Sequence, residues 1–313
     1  MNAIAARHGV RFAPSPTGRF HIGNLRTAWV SEKIARCLKT EWIVRVEDID
    51  TARVLPEAWS DQKKDLASLG LVPDAVIVQS SRQTRHVELF ERAKAEGRVY
   101  PCDCSRQDVL ESLRQMSSAP HNVMVEYSGR CRGRSYDGSS AGLKNYAPKE
   151  TLAWRWKSQE PNGYDDAIVL RTDPSGENFA PGYHWACAID DADGNYQVIV
   201  RAWDLAPVDK IQGEIRKWAT PSSDDVIAFH TSLVTRDDGG RLEKRTNGVT
   251  LEELLAAGES IHNLGSNFDA SFDVNRAIEL IRDAALDRAV RPTGELVHKL
   301  AANSLVRQST SNI

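Results

Sequence analysis

The chain has 313 residues and is 41% hydrophobic and 27% charged. That is enough for one large domain or two smaller ones with proper cores, and no run of about eighteen apolar residues suggests a membrane span. The 40 basic and 43 acidic residues leave a net charge of −3, so there is no global basic field and a nucleic-acid partner would have to be met by a local patch. Met1 to Val10 lacks the apolar stretch of a secretory signal, which makes the cytoplasm the expected location. In that compartment the 5 cysteines read as free thiols or metal ligands rather than disulfides.

In chain order, Val10 to Ala13 predicts a short strand, broken by Pro14-Ser15-Pro16-Thr17-Gly18. A helix then starts near Gly23, with Leu25, Ala28, Trp29, Ile34, Ala35 and Leu38 on one face. A second strand covers Glu41 to Glu47, and this strand–loop–helix–strand order predicts a parallel sheet with helices outside it. Helices follow over Glu57 to Leu69 and Thr84 to Glu96. Pro101 to Gly138 is polar and glycine-rich and carries Cys102, Cys104 and Cys131, so it reads as an insertion that something other than a core must hold. Strands are predicted over Trp154 to Trp156, Ala167 to Arg171, His184 to Asp190, Gln197 to Arg201 and Val226 to Thr231, with an amphipathic helix from Asp209 to Trp218. A glycine-rich turn, Asp237 to Gly240, opens a basic loop, and the tail from Leu251 to Leu305 is helical. The expected organisation is thus a first core half (1–98), an insertion (99–146), a second core half (147–235) and a loop with a helical C-terminal region (236–313). No internal repeat or low-complexity segment is visible.

Five constellations carry chemistry. The run from Arg11 through Pro14, Ser15 and Pro16 to His21-Ile22-Gly23-Asn24 is a strand end, a kinked loop and a helix start, where free N–H groups and the helix dipole favour anions. Gly23 permits close backbone approach, and His21 can donate to a phosphoryl oxygen. Glu47, Asp48 and Asp50, with Arg53, follow the second strand, and strand ends are where open α/β sheets bind ligands. A third group joins Tyr183-His184-Trp185-Ala186 and Ile189-Asp190-Asp191 to Val200-Arg201-Ala202-Trp203-Asp204. A fourth, Gly239 to Arg245, is cationic and suited to stabilising a triphosphate as charge moves. The fifth is Cys102, Cys104 and Cys131, three thiols in a segment with a weak core, which suggests tetrahedral zinc and folding energy drawn from metal binding. His121 is a candidate fourth ligand on residue chemistry alone, while Cys37 and Cys187 read as packing cysteines.

The first run resembles the "HIGH" motif of class I glutamyl-tRNA synthetases, with Asn24 in place of the last histidine; Glu47 to Arg53 resembles that family's "EDTD..R" element, and the third group its "YNLA..VDD" and "VIRG.D" pair. Gly239 to Arg245 sits where the family carries "KMSKS", with Arg241 and Lys244 as the cations and Glu243 replacing a serine; Trp203 also replaces a small or acidic residue. The resemblance spans Arg11 to Thr246, in family order, and implies a Rossmann-type parallel-sheet catalytic core that activates L-glutamate with ATP and Mg2+. It puts Arg11 and Arg201 on the substrate's side-chain carboxylate, a task for planar forked donors, and Glu47 on its amino group, with Ala13, Ser15 and Tyr183 lining the site. It makes His21 and Lys244 catalytic and His21, Gly23, Asn24, Arg241 and Lys244 ATP-binding. The cysteine segment resembles the zinc insertion of the glutamyl-queuosine tRNA(Asp) branch, whose fourth ligand would fall on Tyr127. The chain ends at Ile313, soon after the second motif, so a large anticodon-binding region is expected to be absent. The implied reaction is transfer of glutamate to the queuosine base in the anticodon stem-loop of tRNA(Asp), by a monomer. Two other readings stay open: a paralogue that ligates an activated amino acid to a small metabolite or carrier, and a non-catalytic nucleotide- or RNA-binding module.

Overall fold

The computed structural model describes residues 9–105, 107–109, 127–137, 142–146, 151–159, 166–173, 178–221, 226–234 and 249–290. In chain order the elements are β1 (Val10–Phe12), α1 (Ile22–Leu38), β2 (Trp42–Val46), α2 (Ala58–Ser68), β3 (Ala75–Val78), α3 (Gln83–Ala95) and β4 (Val99–Cys102). Then come β5 (Leu152–Trp156), β6 (Ile168–Thr172), β7 (Ala180–Pro181), α4 (Tyr183–Asp193), β8 (Val198–Ala202), α5 (Asp209–Ala219) and β9 (Ile227–Thr231). The helices α6 (Leu251–Ala256), α7 (Ile261–Ala270) and α8 (Val274–Val290) close the described chain. Two compact units result, one of residues 1–80, 191–209 and 222–313, the other of residues 81–190 and 210–221.

The first unit is built on a parallel sheet in the order β3–β2–β1–β8–β9. Successive side chains of a strand face opposite ways. Val10, Phe12, Trp42, Val44, Val198, Val200 and Ile227 therefore share one face, where they pack with Leu25, Ala28 and Ile34 of α1 in the main core. The other face begins with a smaller apolar cluster of Ile43, Tyr196, Ile199, Val226 and Ala228. Along the same strands this face continues with Arg11, Arg45, Arg201 and His230, all buried. A sheet covered on both sides needs near-continuous apolar strands, and these four residues interrupt that rule at one end of one face. The strand order reverses between β1 and β8, and at such a switch point the crevice beyond the strands' carboxyl ends is the usual ligand site of an open α/β sheet.

The second unit carries an antiparallel sheet, β4–β5–β6–β7. Trp156 and Trp185, both fully buried, meet Trp218 of α5 at centroid distances of 5.2 and 5.9 Å and form its aromatic centre.

The strand expected over His184 to Asp190 is a helix. Trp185 through Ala192 are all buried, so the run shows neither an alternating nor a polar face, and a short apolar run cannot be assigned by period alone. Its alanines at 186, 188 and 192 favour the helix. The strands β3, β4 and β7 fall where the sequence predicts none. Among the described residues the expected helical tail resolves into three helices, with a break at Gly258 (φ +94°), a left-handed conformation that glycine adopts without a Cβ penalty; its expected stretch from 291 to Leu305 lies outside the described residues. Cys187 is buried as a packing residue should be, but Cys37 is exposed on α1, because it falls on the solvent side of that helix's apolar stripe.

Candidate active site and metal centre

The loop between β1 and α1 is fixed from three sides. Pro14 carbonyl oxygen accepts from Glu47 N (2.9 Å), Pro16 carbonyl oxygen from Leu55 N (3.0 Å), and Gln62, buried on α2, donates its amide to the Ser15 and Gly18 carbonyls (3.1 and 2.7 Å). Ala13 is half-buried and Ser15 exposed at this strand end. The loop delivers His21 to the N-cap of α1, where its Nδ1 accepts from Gly23 N (3.1 Å) and Asn24 N (3.3 Å). An imidazole that accepts at Nδ1 carries its proton on Nε2, so the cap sets the tautomer in which Nε2 is a donor. Asn24 closes the capping box by accepting from His21 N (3.4 Å). A Cβ at Gly23 would stand 3.0 Å from both Nδ1 and Cε1 of His21, so glycine is what lets the ring lie against the helix start. Ile22 N donates to Val249 carbonyl oxygen (3.0 Å), and His21 bridges Thr250, the N-cap of α6.

Beside this helix start, at the carboxyl ends of β1, β2 and β8, lies a buried ion-pair cluster. Asp191, fully buried, accepts from Arg11 Nε (3.0 Å) and Nη2 (2.5 Å), from Arg45 Nη1 (2.5 Å) and from Arg201 Nη2 (3.4 Å). Arg45 Nη2 also donates to Glu47 (2.9 Å), and Arg201 Nη1 to Asp209 (3.1 Å), which in turn lies 3.2 Å from His230 Nε2. Burial alone would raise the Asp191 carboxyl, but the three guanidiniums, Arg11 foremost, outweigh it and hold it well below the usual carboxylate range. Three guanidiniums against three carboxylates leave the set balanced, and pairing is the condition under which such groups tolerate burial.

Tyr183 starts α4 and is exposed, as is Trp203 just past β8, whose ring stands edge-on to His230 at 6.0 Å. Arg241, Glu243, Lys244 and the rest of the second cationic motif lie outside the described residues, and so does His121. Sequence reasoning gave no role to Arg45, Asp191, Asp209 or Gln62. The available signal was an arginine inside the apolar strand run Trp42-Ile43-Val44-Arg45-Val46, which a doubly covered strand does not carry without partners.

In the second unit Cys102 ends β4, and its sulfur gathers with those of Cys104 and Cys131 within 4.8 Å, a group that could hold a metal ion. Cys104 Sγ lies 3.6 Å from Cys131 Sγ, and Tyr127 Oη lies 3.5 and 3.8 Å from the sulfurs of Cys102 and Cys104. Tyr127 Oη also accepts from Cys131 N (2.7 Å). Arg155, on β5, donates to Cys102 Sγ (3.2 Å) and stacks 3.6 Å over the Tyr127 ring. A hydrogen bond from Cys131 pulls the Cys102 thiol down to about 4, against burial and with help from Arg155.

With this geometry in view, the comparisons are specific. Residues 9–254 match the profile of the catalytic domain of class I tRNA synthetases (E and Q). Glutamyl-Q tRNA(Asp) synthetase of Nocardia farcinica is 35% identical over 80% of this chain and 80% of its own length. That of Burkholderia cenocepacia strain J2315 is 31% identical over 91% of this chain and 96% of its own. The chain belongs to the glutamyl-Q tRNA(Asp) synthetase family. It is therefore a ligase of the class I tRNA synthetase kind. The same fold recurs in the crystal structure of a glutamate tRNA ligase from Elizabethkingia meningosepticum in complex with its amino acid, at TM-score 0.62 and 23% identity, covering 77% of this chain. The chain spans about half the length of that structure (52%) and of the glutamate-tRNA synthetase of Elizabethkingia anophelis (53%), which it matches at the same TM-score. Within the family frame, the substitution of asparagine for the last residue of the first motif has a local use, since Asn24 completes the cap that orients His21. Among the described residues no helix is long and apolar enough to cross a membrane.

Proposed function

We propose that this protein activates L-glutamate with ATP and transfers it to the queuosine base in the anticodon of tRNA(Asp). The observation that carries the reading is the buried cluster at the switch point, where Arg11, Arg201 and Glu47 offer two guanidiniums and one carboxylate to an amino acid with an acidic side chain. Arg11 spends Nε and Nη2 on Asp191, so the substrate's side-chain carboxylate meets its Nη1 edge together with Arg201; Glu47 takes the ammonium, and Ala13 and Ser15 line the site. The α-carboxylate of glutamate then attacks the α-phosphorus of ATP, pyrophosphate leaves, and a glutamyl-adenylate forms. His21 Nε2–H and the positive end of the α1 dipole at Gly23 and Asn24 hold the phosphates, with Arg241 and Lys244 as the second cationic contact and Mg2+ bound with the nucleotide. A hydroxyl of queuosine attacks the anhydride carbonyl and AMP departs. These partners give the enzyme a cytoplasmic address and ask for no more than a monomer.

Zinc held by Cys102, Cys104, Cys131 and Tyr127 fits the second unit. Four ligands of a tetrahedral zinc at about 2.3 Å stand about 3.7 Å from one another, and the neighbouring donors here are 3.5, 3.6 and 3.8 Å apart. Burial foremost holds the Tyr127 phenol well above its usual range, with the N–H of Cys131 opposing it, so the phenolate would be formed by the bound metal itself; zinc would also supply folding energy to a segment with a small core.

The test has two stages. Glutamate-dependent ATP–pyrophosphate exchange without tRNA should be positive, and labelled glutamate should then appear in tRNA(Asp) containing queuosine but not in tRNA(Asp) lacking it. Exchange without any transfer would favour ligation to a small metabolite, for which the exposed Trp203 in place of a small residue is the supporting observation. No exchange would defeat the proposal.

A further inference from the structure

The cluster that meets the substrate has an inner layer that does not. Asp191 is 0% exposed and Arg45 1%, the two least accessible members of the set, against 8% for Glu47. A carboxylate has about four lone-pair sites, and Asp191 uses them on Arg11 Nε and Nη2, Arg45 Nη1 and Arg201 Nη2. The two bonds from Arg11 run along one edge of its guanidinium and fix the plane of the fork. The bond from Arg201, with a second to Asp209, fixes that plane too. Arg45 does not stop at Asp191. Its other terminal nitrogen holds Glu47 at 2.9 Å, so one guanidinium ties the anionic part of the site to the carboxylate that orients the cationic part.

We propose that Asp191 and Arg45 are positioning residues for glutamate, with Asp191 setting the planes of Arg11 and Arg201 and Arg45 setting Glu47 against the same carboxylate. This rests on the glutamate reading above. The distance between the reader of the side-chain carboxylate and the reader of the amino group is then fixed by one chain of ion pairs, Glu47–Arg45–Asp191–Arg11, which ties one face of the sheet to the last turn of α4. The chain tells a dicarboxylic amino acid from shorter or longer ones through that fixed spacing. Lysine cannot replace Arg45, since a single ammonium lacks the two separate donor arms that span Asp191 and Glu47.

The decisive variants keep charge and change geometry. Asp191→Glu advances the carboxylate by one methylene, and Arg45→Lys removes one arm. In ATP–pyrophosphate exchange each should raise the KM for L-glutamate about tenfold to a hundredfold, the range for losing a group that orients a ligand-binding residue, and leave the KM for ATP within about twofold. Because Arg45 acts through Glu47, adding Arg45→Lys to Glu47→Gln should change the glutamate KM further by less than about twofold, the sub-additivity expected of groups in one network. A near-normal glutamate KM in folded Arg45→Lys, parallel rises in both KM values, or full multiplicative effects in the double variant would each overturn the proposal. Should Asp191→Glu fail to fold, Arg45→Lys and the double variant decide alone. Wild-type protein is the control that separates the two levels. Absent exchange in wild type defeats the glutamate reading and this inference with it, whereas normal exchange with unaffected variants defeats the inference only.

Discussion

His21 does two things with one ring, and substitution can separate them. Its Nδ1 caps α1 through Gly23 N at 3.1 Å and Asn24 N at 3.3 Å, while the proton this places on Nε2 is the one proposed to meet ATP. Both amide contacts are long and share a single lone pair, so the cap counts as one interaction. Its loss should cost about 1 kcal/mol, which in a chain of this size lowers the apparent Tm by about 2–4 °C. The phosphate contact acts on charge developing in the transition state, and removal of one such donor costs about a hundred- to thousandfold in rate. His21→Ala should therefore lower both melting temperature and exchange rate. His21→Asn should keep the melting temperature within about 1 °C, because asparagine is among the best N-caps, and should lose exchange as fully as the alanine variant. Differential scanning fluorimetry and pyrophosphate exchange read the two effects on the same samples. Near-wild-type exchange in His21→Asn would mean that the ring serves only as a cap, and an unchanged melt in His21→Ala would mean that it does not cap at all.

Gly23→Ala puts a methyl 3.0 Å from the His21 ring, so exchange should fall about tenfold as the donor shifts by a few tenths of an ångström, with helix propensity itself improved; undiminished exchange would show that the ring position is not critical. Elemental analysis should find about one zinc per chain, lost in Cys102→Ser/Cys104→Ser together with protease resistance of the 99–146 segment; Tyr127→Phe should weaken zinc binding, and unchanged affinity would exclude the phenolate as a ligand. The acid limb of stability follows from Asp191, whose folded carboxyl lies below its unfolded value of about 3.9. A depressed carboxyl stabilises the fold above the unfolded value and loses that contribution as pH falls through the folded one. Unfolding free energy from urea titrations should thus be insensitive to this group from pH 7 to about pH 5 and decline below about pH 4. Arg11→Met removes the strongest of the three pairings and lifts the folded carboxyl toward its unfolded value, so the acid loss carried by Asp191 should be smaller and should finish at higher pH; an identical acid limb would contradict the pairing.

The sequence by itself determined the parts of this protein whose physics is local. A strand, a proline-kinked loop and a helix start at Val10 to Leu38 follow from chain-neighbour sterics and apolar period, and they put His21 and Gly23 at a helix N-terminus before any tertiary contact is considered. The C-x-C pair and Cys131 pointed in the same way to a thiol group that could hold a metal, and their three sulfurs do gather within 4.8 Å. What the tertiary structure decided is which side chains share a charge environment. Arg11, Arg45 and Arg201 come from β1, β2 and β8 and Asp191 from the last turn of α4, 180 residues from Arg11, and nothing in their local sequence says that one carboxylate serves three arginines. The helical state of Tyr183 to Asp193 was hidden for a related reason. Burial on nearly every side erased the periodicity that distinguishes helix from strand, so the state of that segment, and with it the direction in which Asp191 points, was settled only by what packs around it.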